Sequence, residues 1–208
     1  MATYSSIRYN FPVAAATTSA SVGAGAMTLI KSIDASTDST ISFVDGTSSV
    51  VLDNTYKTYV FKCLNIHPNA DGPDFTFNMS ADTGSNYNVT KTTTFFNAYH
   101  DEADSDTSLS YTTANDLAQA TGFQPIADGV GGGVADESCS GELWLFNPSD
   151  TTFIKHFISI FNTYRTNDYT YNTFSAGYGN TTSAVDAIQF KMSSGNTDTG
   201  TFKLYGIA

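Results

Sequence analysis

Residues 152–162 read TFIKHFISIFN. In an extended chain, successive side chains point to opposite faces. His156 then shares one face with Ile154, Ile158 and Ile160, and Phe153, Phe157 and Phe161 take the other. A strand apolar on both sides is either sandwiched in a core or part of an interface. Its neighbours have the same character. GELWLFN (141–147), TFSAGYG (173–179), AIQFKMS (187–193) and TFKLYGI (201–207) are short apolar runs divided by Gly, Asn, Ser and Thr. The last two read as a hairpin joined through SGNTDTG (194–200), where Gly195 and Gly200 supply turn freedom.

The N-terminal half repeats the pattern. MTLIKSI (27–33), STISFV (39–44) and SVVL (49–52) precede a longer strand from Tyr56 to Ile66, stopped by His67 and Pro68. NADGPD (69–74) is a turn. DFTFNMS (74–80) alternates, placing Phe75 and Phe77 on one face. Thr92 to Tyr99 forms another strand. Thr113 followed by Asp116, with Gly122 beyond, has the form of a capped short helix. Gln124 to Glu142, holding Gly131, Gly132 and Gly133, reads as a mobile loop. Roughly a dozen short strands at this spacing predict an all-β fold. The expected form is a two-sheet antiparallel sandwich, jelly-roll-like, with an extended N-terminal arm and one short helix.

Composition agrees. The 208 residues include 30 Thr, 23 Ser and 15 Asn beside 12 Tyr and 15 Phe, which suits pleated surfaces better than helices. Only 14% of residues are charged and 13% are aromatic, the reverse of a disordered chain. Nine Lys and Arg against 20 Asp and Glu leave a net charge of −11 with no basic stripe, which argues against nucleic acid as a partner. No apolar run reaches the length of a membrane span. The start carries the single early charge of Arg8 and no continuous apolar stretch, so it is not expected to act as a secretion signal.

Residues 1–26 form a separate unit, rich in Ala, Ser, Thr and Gly, with anchors at Tyr4, Ile7, Tyr9, Phe11 and Val13. Such a segment orders only against a partner, and it is expected to be an anchoring arm ahead of a sandwich domain spanning 27–208.

Candidates for chemistry are few. Asp101, Glu102, Asp104 and Asp106 cluster on one loop and could collect a hard cation through oxygen ligands. The run has neither the central glycine nor the terminal glutamate of a calcium-binding helical loop. His67, His100 and His156 have no nucleophile-elbow motif beside them, and His156 is expected to be a hydrogen-bonded structural residue. Cys63 lies in an apolar run, and the two cysteines match neither a disulfide framework nor a zinc spacing. No catalytic residue and no cofactor is assigned.

Four segments carry a resemblance: DNTYKTYVFKCLNIHP (53–68), FFNAYHDE (95–102), ELWLFNPSDTTFIKHF (142–157) and the ending AIQFKMSSGNTDTGTFKLYGIA (187–208). The chain from Met27 to Ala208 resembles virion structural proteins of marine tailed phages, described as fibre-like or capsid-decoration proteins. The resemblance implies a non-enzymatic β-sandwich on the particle surface, assembled in the host cytoplasm and commonly a symmetric homo-oligomer such as a trimer. Its partners would be other virion proteins of the capsid or tail, reached through the arm. The alternative is a tail-associated receptor-binding protein that recognises host surface glycans.

Overall fold

The computed structural model describes residues 27–208. The arm residues Tyr4, Ile7, Tyr9, Phe11 and Val13 lie outside the described residues. Twelve strands follow in chain order. They are β1 (Met27–Asp38), β2 (Ile41–Val44), β3 (Thr58–Pro68), β4 (Phe75–Ser80), β5 (Lys91–Asp101) and β6 (Thr107–Tyr111). After these come β7 (Gln124–Ala127), β8 (Cys139–Phe146), β9 (Lys155–Arg165), β10 (Tyr169–Gly179), β11 (Ala187–Met192) and β12 (Thr197–Ile207).

The strands form an eight-stranded sheet, β1-β12-β3-β8-β9-β10-β5-β6, and a four-stranded sheet, β2-β11-β4-β7, with all pairings antiparallel. Removing the hairpins β5–β6 and β9–β10 leaves β1-β12-β3-β8 facing β2-β11-β4-β7. That is the strand order of a jelly roll, in which the chain alternates between sheets. The two hairpins then extend one sheet into a four-stranded wing.

Aromatic rings fill the space between the sheets. Phe190 of β11 stacks on Phe75 at 5.7 Å and meets Phe61 and Phe202 at 5.5 and 5.7 Å. Phe77 packs edge-on to Phe157 at 4.9 Å. All six rings are buried. Offset and edge-to-face arrangements of this kind suit the ring quadrupoles.

Three expectations are corrected. Among the described residues there is no helix, and Thr113–Gly122 runs as turns along β5. Its backbone groups are taken by that strand: Thr93 and Leu117 exchange bonds through the Thr93 N–H and hydroxyl, and Lys91 and Ala120 pair both ways. Asp116, the expected capping acid, instead accepts from the Tyr111 hydroxyl at 2.6 Å. Interstrand bonds thus satisfy donors that helical turns would have used.

The stretch from Gln124 to Glu142 is not one loop. Gln124–Ala127 is β7, paired with β4, and β8 begins at Cys139. The bend between them is tied down by Glu137, whose carboxylate accepts from the N–H of Gly133 at 2.6 Å and of Val134 at 3.0 Å. Finally, β11 and β12 are not a hairpin but belong to opposite sheets. Phe190 and Phe202 face each other across the core, so each strand must join the sheet on its own side.

Candidate functional site

The acidic loop is the tight turn between β5 and β6. Asp101 accepts from the Ser105 hydroxyl at 2.5 Å, the Ser105 N–H at 2.8 Å and the Asp106 N–H at 2.9 Å. The Ser105 hydroxyl foremost, and then the Asp106 N–H, hold its carboxyl at about 2. Asp104 lies 3.0 Å from the His100 ring, and Asp106 accepts from the Tyr169 hydroxyl at 3.2 Å. The carboxylates therefore serve the turn and its neighbours separately and do not converge. Glu102 is exposed. Among the described residues, no three His, Cys, Asp or Glu side chains form a group that could hold a metal ion.

The other candidates disperse too. His67 Nδ1 lies 2.7 Å from the Glu137 carbonyl, a structural contact at the end of β3. His156 is exposed, against expectation, and sits edge-on to Tyr178 at 6.3 Å. Cys63 and Cys139 are both free and buried, and burial pushes both thiols well above their ordinary value. Sequence reading passed over a carboxyl pair, Asp74 and Asp128. Burial foremost, with Asp128 alongside, raises Asp74 to about 6. Asp128 lies 3.7 Å from Arg165, whose guanidinium covers the Tyr171 ring at 4.6 Å. Asp74 also accepts from the Gly129 N–H at 3.0 Å, so the group ties the β7–β8 bend to the end of β9.

The feature that stands out is the outer face of the eight-stranded sheet. In β9, burial alternates strictly: Phe157 and Phe161 point inward, and Ile158 and Ile160 point outward with 46% and 40% of their surface exposed. Register carries this apolar character sideways. Ile160 lies opposite Phe174, which lies opposite Phe96, which lies opposite Tyr111. The Phe96 and Phe174 rings stack at 5.0 Å with planes 7° apart. One pleat along, Ile158 lies between Trp144 and Ala176. Trp144 lies opposite Val60, which is buried although it stands outside the inner core. The indole N–H of Trp144 donates to Glu142 at 2.8 Å, and Glu142 pairs with Lys62 at 3.4 Å.

Two shallow grooves mark this face. One, of about 500 Å³, lies between Phe146, His156, Ile158, Ala176 and Tyr178. The other, of about 390 Å³, is more polar and lies among Lys62, Ser140, Glu142, Ile160, Asn162 and Asn172. The double apolar character of residues 152–162 was the sequence signal for this surface. It left core and interface open, and the structure buries one face of β9 and leaves the other exposed.

No protein-family model, no curated protein and no solved structure matches the chain.

Proposed function

We propose that this chain is a non-enzymatic phage virion structural protein displayed on the particle surface, as capsid decoration or fibre. Residues 1–26 tether it to another virion protein, and the sandwich is its assembly module. The observation that carries this reading is the outer face of the large sheet, where Ile158, Ile160, Phe96, Leu109 and Tyr111 are all exposed. Contiguous exposed apolar surface of this extent belongs to interaction sites. The jelly-roll strand order supports the setting by analogy, since virus shells use that fold. The resemblance of residues 27–208 to phage virion proteins supports it as well.

The test is incorporation. The described residues 27–208 enclose a buried core of their own, so a chain without residues 1–26 is expected to fold. It should be absent from purified particles that incorporate the full-length chain. Normal incorporation of the truncated chain would refute the tether.

A second reading, a tail-associated receptor-binding protein for host glycans, draws on the polar groove. Asn162, Asn172, Lys62 and Glu142 converge there near the Trp144 ring, a mixture of hydrogen-bonding and stacking groups that suits a sugar. Saturable glycan-array binding that is lost in Asn172→Ala would favour it. A blank array would remove it.

A further inference from the structure

We propose that the outer face of the eight-stranded sheet is covered by a second copy of this chain, packed face to face about a two-fold axis near Ile158 and Ile160. This rests on the assembly role proposed above and names the partner of that surface.

Three observations select a second copy. The first is charge. Across the outward positions of β12, β3, β8, β9, β10 and β5, the only Lys, Arg, Asp or Glu side chains among the described residues are Lys62, Glu142 and Lys203. Lys62 and Glu142 already pair with each other. The chain as a whole carries −11, so two copies repel over most of their surfaces. On the outward side of β9, β10 and β5 that repulsion vanishes, and no unpaired charge has to be stripped of water.

The second is area. The six strands from β12 to β5, about 4.8 Å apart, span about 24 Å, and eleven residues at about 3.3 Å extend about 36 Å. That part of the face offers about 860 Å², comparable with the about 800 Å² per partner of a standard specific interface.

The third is composition and shape. Trp144, Ile158, Ile160, Phe174 and Phe96 stand on the consecutive strands β8, β9, β10 and β5, with Asn162 and Asn172 beside Ile160 and Phe174 and with Thr92 and Thr94 toward one end of β5. Aromatic and branched apolar side chains with interspersed amides are common in interfaces, whose cores are poor in charge. A two-fold contact needs a patch that meets itself, and aligned sheets packing about 10 Å apart provide that geometry.

Sedimentation velocity of the full-length chain over a wide concentration range tests this. The expected species is a dimer. Ile158→Lys with Ile160→Lys should weaken self-association about thirtyfold per substitution, as for central interface residues. Phe96→Glu, on a different strand, should also release monomer. Far-ultraviolet circular dichroism should match the parent for both, since all three positions are exposed. Val134→Lys, exposed but away from this face, should leave the dimer intact. A monomeric parent chain overturns the proposal, whether the face then takes a glycan or a different virion protein. So does a dimer unaffected by both the β9 and the β5 substitutions. A monomer that is still incorporated into particles would sink this inference alone, whereas a dimer missing from particles would sink the virion reading and leave the interface standing.

Discussion

Replacing Phe190 with alanine and comparing the loss with that at Phe96 measures how differently the core between the sheets and the outer face of the large sheet are employed. Phe190 is fully buried, and its ring is within aromatic distance of Phe43, Phe61, Phe75, Phe77 and Phe202. It projects from β11, which is held on both sides by β2 and β4, so the backbone cannot close over the gap. Loss of transfer energy plus an uncollapsed cavity costs about 3–5 kcal/mol for a buried Phe→Ala change. Five ring partners put Phe190→Ala at the upper end, about 5 kcal/mol. Phe96 keeps 39% of its surface exposed and loses mainly its stack on Phe174, a change of about 1–1.5 kcal/mol. Guanidinium unfolding followed by circular dichroism reads both, at one dilute protein concentration so that self-association does not contribute. In thermal unfolding, at about 2–4 °C per kcal/mol, Phe190→Ala should melt about 10–20 °C below the parent chain. Phe190→Leu, which fills part of the cavity, should recover about half of that. Losses for Phe190→Ala and Phe96→Ala that agree within about 1 kcal/mol would refute the assignment of inner and outer faces.

Lys91 is buried, donates to the Val89 carbonyl at 2.8 Å and to Asn78, and burial pushes it down to about 7. Unfolded Lys91 keeps its proton to about 10.4, so the unfolded state binds more protons between those values and stability rises with pH across that window. The buried thiols of Cys63 and Cys139, held well above their ordinary value, oppose that slope from about 8.5, and Tyr59, pushed up to about 12 by burial, does so above about 10. Urea midpoints measured from pH 7 to 8 should climb in the parent chain and stay nearly flat in Lys91→Met; equal slopes would disprove the burial argument. Gly141→Ala would place a methyl 2.3 Å from the Ile160 carbonyl oxygen and 2.5 Å from the Phe161 ring, a clash between two central strands. A cost of about 2–4 kcal/mol is expected in a denaturant titration, and less than about 1 kcal/mol would contradict it. Cys63 and Cys139 should both resist a thiol reagent in the native state and both react in guanidinium, since burial keeps them protonated. Rapid native labelling of either would refute their placement in the core.

Strands were the most legible part of the sequence, because alternation is a local property that needs no partner. The turns at Gly195 and around Asp101 were legible for the same reason, through residue type. The exposed apolar face was half legible. Ile158 and Ile160 announced a second apolar face, while Phe96, Phe174 and Tyr111 read as scattered aromatics until register aligned them. Residues 113–122 failed because a local capping signal competed with bonds from Lys91 and Thr93, which lie far away in the chain.

The amino-acid sequence by itself determined the all-β class and the excess of acidic over basic residues. These depend on composition and on contacts between near neighbours. Tertiary structure alone decided that β11 and β12 part to opposite sheets, that Asp74 meets Asp128, and which face of β9 meets solvent. Each of these is a choice among pairings of similar local energy, made by how the aromatic core closes. The second sheet covers Phe157 and Phe161, and what it does not cover, Ile158 and Ile160, stays exposed.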